Sequence, residues 1–146
     1  SSDITEGFTW FLATALFIVQ VYCDFSGYTD IARGCARLFG FRLMLNFDRP
    51  LLATTFRDFW RRWHISLTNW FRDYIYYPLG GNQRGTIRTC FNVITVFTIS
   101  GLWHGADLKY VFWGALTGIL SCVEILNPFK IKLPYLPAVF VVMCMN

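Results

Sequence analysis

Three stretches of the chain are long, apolar and almost free of charge. Residues 7–23 and 110–123 contain no Asp, Glu, Lys or Arg, and neither do residues 89–106, which carry the single histidine His104. A helix that crosses a bilayer needs roughly 20 mainly apolar residues, with a range of about 17–25. The third stretch reaches that range only when it is extended through Leu126, and a fourth apolar run follows at 133–145. The pattern predicts an all-α fold, a multi-pass transmembrane helical bundle.

Residues 56–77, between the first two apolar stretches, show a different pattern. Apolar and aromatic residues recur there at i, i+3, i+4 and i+7, which predicts an amphipathic helix, interfacial or re-entrant. Either threonine of 54–55 is placed to cap its start, and an Asp58–Arg62 pair is expected on its polar side. The Pro-Leu-Gly-Gly sequence at 78–81 predicts its end. The apolar face would consist of Phe56, Phe59, Trp60, Trp63, Leu67, Trp70, Phe71 and Tyr74.

Composition supports a membrane environment. The chain is 55% hydrophobic and 19% aromatic, whereas soluble domains are typically about 45–50% apolar. We therefore expect a multi-pass integral membrane protein with the lipid bilayer as its solvent. The sequence starts at Ser1 without methionine or signal-peptide features, and its last apolar run stops with the chain. We interpret residues 1–146 as a single partial domain, incomplete at both ends.

Positive charge is concentrated between the first and second apolar stretches. Ten of the thirteen Lys and Arg residues lie there, and Lys130 and Lys132 follow the third stretch. By the positive-inside rule, this basic block and the two lysines face the cytoplasm. A nucleic-acid partner is not expected, because the basic residues are tethered between membrane spans and do not form a soluble surface.

The cysteines and two carboxylates are interpreted as structural. The five cysteines are scattered and form no C-x-x-C pair, so a metal site is not expected. Asp24 and Asp30 flank a predicted Ser-Gly turn, where helix capping and ion pairing with Arg33 or Arg37 are favoured over acid–base chemistry. Ser26 lacks the G-x-S-x-G elbow of a serine hydrolase.

Two histidines are the main candidates for chemistry. His104 ends an apolar stretch, where an imidazole needs a polar partner or a wet cavity, so it marks either a functional site or a structural histidine bonded to a neighbouring helix. His64 borders the aromatic face of the amphipathic helix, from which it faces a cavity or bonds to a headgroup or the backbone.

The sequence does not fix how deep the two histidines lie in the membrane. Sixteen residues separate Arg88 from His104, about 24 Å of ideal helix. A straight hairpin would therefore place His104 far from His64. Either a tunnel from each side meets between them, or the amphipathic helix dips into the bilayer.

Seven short motifs occur in order along residues 24–118. They are Asp24-Phe25-Ser26-Gly27-Tyr28-Thr29-Asp30, Leu38-Phe39-Gly40-Phe41, Asn46-Phe47, Phe59-Trp60-Arg61-Arg62-Trp63-His64-Ile65-Ser66-Leu67, Trp70-Phe71-Arg72-Asp73-Tyr74, Pro78-Leu79-Gly80-Gly81 and Gly101-Leu102-Trp103-His104-Gly105-Ala106. Any one motif is weak, but the ordered set is specific. Together they resemble the membrane-bound O-acyltransferases, and within that family the branch of alginate O-acetyltransferases and teichoic acid D-alanyl transferases.

The resemblance implies an O-acyltransferase of a bacterial cytoplasmic (inner) membrane. The enzyme would transfer an acyl group, expected to be acetyl, from a cytoplasmic thioester to an extracytoplasmic polysaccharide hydroxyl or to an acyl-receiving protein partner. The family's catalytic histidine maps to His104, as general base, and a second histidine maps to His64. No bound cofactor or metal is implied, because acetyl-coenzyme A or an acyl carrier thioester is a substrate. The expected donor- and substrate-binding residues are Trp60, Arg61, Arg62, Trp63, Arg72, Asp73, Tyr74 and Trp103.

Two alternative functions remain open from the sequence. One is a non-enzymatic transporter or channel subunit in which His104 relays protons. It predicts paired intramembrane charges and inverted repeats, which the sequence does not show. The other is an inert scaffold of the same family that assembles with an acyl-receiving partner.

Overall fold

Helices form every regular element that the computed structural model describes, which covers residues 2–126. The predicted apolar run 133–145, with Lys130 and Lys132 before it, lies outside these residues. In chain order the elements are α1 (Ser2–Leu38), a 3₁₀ helix (Pro50–Leu52), α2 (Phe56–Arg62), α3 (Ile65–Phe71), a π-helical turn (Arg72–Tyr76), α4 (Thr86–His104) and α5 (Leu108–Leu126).

Two of the described helices are long and apolar enough to cross a membrane, by length and composition. They are the Glu6–Leu38 part of α1 and the whole of α5, Leu108–Leu126. These correspond to the first and third predicted spans. The second predicted span, 89–106, does form a helix, α4, but that helix is not one of the two. The all-α fold is therefore confirmed over residues 2–126, whereas the multi-pass bundle stays a prediction.

The first helix continues through the position where a Ser-Gly turn was predicted, so that prediction is wrong. The hydroxyls that favour a turn are satisfied inside the helix: Ser26 Oγ donates to the Cys23 carbonyl (3.4 Å) and Thr29 Oγ1 donates to the Ser26 carbonyl (3.0 Å). The expected ion pair is present between Asp30 and Arg33, at 2.9 Å. It stabilises a continuous helix and does not close a turn.

The predicted amphipathic helix over 56–77 is broken into α2, α3 and the π-helical turn. The break lies at Trp63 and His64, and His64 has the left-handed backbone conformation with φ 43° and ψ 54°. A residue with that conformation cannot continue a right-handed helix. The hydrophobic periodicity of the sequence does not reveal the break, because apolar residues occur both before it, in α2, and after it, in α3.

The start of α2 is capped twice, once locally and once from α5. Thr55 Oγ1 accepts a hydrogen bond from the Asp58 amide (3.0 Å), as predicted, and the Asp58–Arg62 pair is present at 2.9 Å. Glu124 of α5 also accepts hydrogen bonds from the amides of Phe56 (2.6 Å) and Arg57 (3.4 Å). A carboxylate is stabilising at a helix N-terminus, so Glu124 ties α2 to α5.

The aromatic face of α2 packs inside the protein. Phe59 is 1% exposed and Trp63 8% exposed, and their rings stack at 5.5 Å. Phe47 and Ala53 from the preceding loop and Trp113 from α5 complete this core. The core joins α2 to the first half of α5. Of the later aromatic residues, Trp70 and Tyr74 are exposed, whereas Phe71 is 5% exposed.

The turn predicted at 78–81 is confirmed and is anchored to α4. Gly80 and Gly81 have positive φ angles of 100° and 54°, which L-residues with a Cβ rarely adopt. Asn92 of α4, whose side chain is fully buried, donates from Nδ2 to the carbonyls of Gly81 (2.9 Å) and Leu79 (3.3 Å). One amide therefore holds the end of the amphipathic region against α4.

Helices α4 and α5 form an antiparallel hairpin with closely approaching backbones. A methyl group added at Gly101 would overlap with the Tyr110 carbonyl, and one at Gly114 would overlap with the Phe97 carbonyl. At Gly118 it would lie 2.8 Å from the Ile94 Cα. Small residues of this kind allow the tight helix contacts that are typical of membrane bundles.

Replacing Gly114 with Ala tests this close contact. Because the methyl group would overlap with backbone, we expect Gly114→Ala to lower the stability of the intact protein by about 1–3 kcal/mol. Gly34→Ala is the matched control, since no atom lies within 4 Å of an added methyl there and Ala favours a helix. Thermal unfolding in detergent measures both variants. An unchanged melting temperature for Gly114→Ala would contradict the packing.

Candidate active site

A cavity of about 130 Å³ brings the two histidines together. His64, between α2 and α3, and His104, at the end of α4, both line it, and we call it the histidine cavity. Its other walls come from α1 (Phe25), α2 (Trp60) and α5 (Trp113). The sequence left the separation of the histidines open, and the structure places both on one cavity because the helix breaks at His64.

The His64 side chain is held by aromatic rings and is partly buried. Its ring lies edge-on to Phe25 with 4.8 Å between centroids and is tilted against Phe47 at 6.5 Å. Its Nδ1 atom is buried without a hydrogen-bond partner. Burial lowers the pKa of His64, and the nearby charge on a protonated His104 lowers it further. The imidazole is therefore neutral near pH 7 and has a ring nitrogen unoccupied by other protein groups.

His104 is the last residue of α4 and is exposed in this structure. Its ring packs edge-on against Trp103 (5.0 Å between centroids) and Trp113 (5.3 Å). Trp113 is 4% exposed and belongs to the same core as Phe59 and Trp63. The imidazole is thus oriented by a rigid indole on one side and opens toward the cavity on another.

A second, larger cavity of about 630 Å³ adjoins the first. It is lined by three arginines, Arg57, Arg61 and Arg72, and by one carboxylate, Glu124; we call it the arginine cavity. Guanidinium groups bind phosphate and carboxylate through paired N–H donors. The arginine cavity therefore has the charge to receive an anionic ligand. The two cavities share the wall residues Trp60, Thr68, Val96 and Phe97.

Trp60 stands at the boundary between the two cavities. Its ring contacts Phe97 of α4 at 5.0 Å and Phe59 at 5.3 Å. Its indole Nε1 is buried and has no hydrogen-bond partner. A buried donor without an acceptor is costly, so the Nε1 atom is available to a water molecule or a ligand in either cavity. Trp60 therefore forms part of the wall that the two cavities share.

Of the remaining site residues predicted from the sequence, some line a cavity and others lie outside both cavities. Arg61 and Arg72 line the arginine cavity, and Trp63 lines the histidine cavity. Arg62 lines neither cavity, and its guanidinium bonds to Asp58 (2.9 Å) and to the Asp48 carbonyl (3.4 Å). Three further residues also lie outside the cavity walls: Asp73, which pairs with Arg72 at 2.9 Å; Tyr74, which contacts Trp70; and Trp103, which contacts His104.

Several cavity residues were not singled out from the sequence. Arg57 lies four residues before Arg61, so helical spacing was an available signal. Ser100 lies one turn before His104 on α4 and lines the histidine cavity, and the same spacing applies. Glu124 and Trp113 come from α5, far along the chain, and no local pattern indicates their contacts.

A metal site is not formed by the described part of the chain. Within residues 2–126, no three or more His, Cys, Asp or Glu side chains come together as metal ligands would. The four cysteines of this part are free of disulfide bonds, and Cys122 Sγ donates a hydrogen bond to the Cys90 carbonyl at 3.4 Å.

Comparison with known proteins gives consistent matches. The membrane-bound O-acyltransferase family, MBOAT, matches residues 2–138. The probable alginate O-acetylase AlgI of Pseudomonas fluorescens is 47% identical over 120 residues, which are 82% of this chain and 24% of that protein. The peptidoglycan O-acetyltransferase of Helicobacter pylori is 46% identical over 105 residues, 72% of this chain and 20% of that protein.

A relative with lower sequence identity also matches most of this chain. The teichoic acid D-alanyltransferase of Bacillus subtilis is 29% identical over 130 residues, 84% of this chain and 33% of that protein. The chain thus spans about a quarter of the length of the alginate O-acetylase and about a third of the D-alanyltransferase. The family match extends over almost the whole chain, including both histidines. The chain belongs to the membrane-bound O-acyltransferase family.

Proposed function

We propose that this chain is the histidine-bearing part of a membrane O-acyltransferase. The enzyme moves an acyl group from a thioester donor on the cytoplasmic side to a polysaccharide hydroxyl on the other side, directly or through an acyl-receiving protein. The observation that carries the proposal is a pair of adjoining cavities that share four wall residues, one cavity with both histidines and the other with three arginines. The family match supports acyl transfer over the transporter alternative.

His104 serves as the general base in this proposal. A neutral imidazole nitrogen takes the proton of the acceptor hydroxyl while the hydroxyl oxygen attacks the thioester carbonyl carbon. The new C–O bond forms, the C–S bond breaks, and the imidazolium returns its proton to the departing thiolate. A thioester is already activated, so these steps balance without a metal or redox partner.

The arginine cavity holds the donor in this proposal. Acetyl-coenzyme A and acyl carrier arms both carry phosphate, which the guanidiniums of Arg57, Arg61 and Arg72 suit. The acyl end would then pass Trp60 into the histidine cavity. An acetyl group is favoured, because two of the three relatives above are named O-acetylase or O-acetyltransferase.

The orientation of the chain follows from its charge. The arginine-rich segment between α1 and α4 faces the cytoplasm by the positive-inside rule, which puts the arginine cavity on the side where thioester donors occur. We place the protein in a bacterial cytoplasmic membrane as a multi-pass protein. Helices α1 and α5 supply two of the crossings.

Replacing His104 tests the base. In the intact protein, we expect His104→Gln to lower kcat for acyl transfer by about 100-fold or more, because general-base catalysis is typically worth about 10²–10⁴. His64→Ala should lower it less, since His64 is placed to position groups in the cavity. Radiolabelled acetyl transfer to polysaccharide measures both. Near-normal transfer by folded His104→Gln protein would refute the assignment.

Replacing Arg61 tests the donor site. Lys keeps the charge but loses the planar pair of donors, so we expect Arg61→Lys to raise the donor KM by about 10-fold with a smaller change in kcat. Arg88→Lys is the matched control, because Arg88 lies on α4 over the Phe91 ring and lines neither cavity. Steady-state kinetics at varied donor concentration measure the two variants. Equal donor KM values for them would count against the arginine cavity as donor site.

A further inference from the structure

The loop segment at residues 46–48 runs beside the break that contains His64. The Asn46 carbonyl accepts a hydrogen bond from the Ile65 amide (3.0 Å), and Asn46 Oδ1 accepts one from the Ser66 amide (3.0 Å). The Asp48 amide donates to the Arg62 carbonyl (3.0 Å). These bonds bracket His64 on both sides, so the segment fixes the backbone where the helix breaks.

The side chain of Asn46 caps the start of α3, where the side chain of His64 does not. His64 occupies the residue before α3, where a side chain ordinarily accepts a hydrogen bond from the second or third amide of the helix. Its imidazole makes no such bond. The second amide, that of Ser66, is instead satisfied by Asn46 Oδ1, twenty residues earlier in the chain. The imidazole is thereby free to line the histidine cavity.

The conformation of His64 needs such support. A left-handed backbone is uncommon for residues with a Cβ. Histidine adopts it more often than most, but it still costs free energy that the surroundings have to supply. Phe47, next to Asn46, is 7% exposed and packs against Trp63 (5.0 Å) as well as His64. The hydrogen bonds of Asn46 therefore fix the two residues that follow His64, and the ring of Phe47 contacts the His64 ring itself.

We propose that Asn46 is a positioning residue for transfer, which holds the His64 imidazole in the cavity by capping α3 in its place. This inference rests on the proposed function. A purely structural cap would stabilise α3 without any link to His64. The chain contains a matched control for that role: Thr55 Oγ1 caps α2 through the Asp58 amide at the same 3.0 Å, and Thr55 lines neither cavity.

Kinetics of the intact protein test the link. We expect Asn46→Ala to lower kcat by about 10-fold while the donor KM changes by less than about 2-fold, since a misplaced group costs mainly the chemical step. Asn46→Asp keeps the acceptor oxygen and should retain most of the activity. The Asn46→Ala/His64→Ala double variant should be no slower than His64→Ala alone, because both changes remove the same contribution.

Losses that multiply in the double variant would overturn the proposal, as would an equal loss of kcat in Thr55→Ala. Unchanged transfer by His64→Ala would also overturn it, because there would be no His64 function for Asn46 to support. The proposed function fails separately, if His104→Gln remains active.

A second measurement reads the position of residue 64 without activity. In a cysteine-free intact protein that carries His64→Cys, a small methanethiosulfonate reagent should modify Cys at this position about 5-fold faster after Asn46→Ala, because the freed loop exposes it. Thr55→Ala should leave the rate within about 2-fold. Equal rates with and without Asn46→Ala would overturn the proposal, even if transfer is lost.

Discussion

The break between α2 and α3 is the constraint on which the candidate site depends. A continuous helix over 56–77 would carry its aromatic face along one line and leave His64 at the border of that face. Trp63, which is extended, ends α2, the left-handed His64 precedes α3, and the imidazole lies against Phe25. Hydrogen bonds from residues 46–48 supply the stabilisation that this conformation lacks by itself.

The rest of the site is positioned by contacts to one hairpin. The small residues Gly101 and Gly114 let α4 and α5 approach closely, which brings the Trp113 ring of α5 against His104. Glu124, further along α5, fixes the start of α2 and so the direction of Trp60 and Arg61. The hairpin thus positions His104 directly, and it positions α2 through the Glu124 carboxylate and through the aromatic contacts of Trp113 and Phe97. Helix packing, the capping of α2 and the Glu124 charge therefore all position residues around the two cavities.

Local signals explain what the sequence predicted correctly. The length of the apolar stretches predicted α1 and α5. Residue spacing predicted the Thr55 cap and the Asp58–Arg62 pair, and the glycines predicted the turn at 78–81. The break at His64 was missed because its partners lie in another segment, and Glu124 acts across 68 residues. Periodicity also does not show that Arg62 is occupied by Asp58, whereas Arg57 lines the arginine cavity. These outcomes depend on tertiary contacts, which a single sequence does not reveal.

We propose that the thioester donor and the His104 imidazole meet across Trp60, with the arginine cavity on one side and the histidine cavity on the other. The most direct measurement is a cryo-electron microscopy structure of the intact protein with a non-hydrolysable thioether analogue of acetyl-coenzyme A. We expect phosphate density beside Arg61 and Arg72 and the acyl end within hydrogen-bond reach of His104, about 3 Å. An analogue bound elsewhere, with both cavities empty, would contradict it.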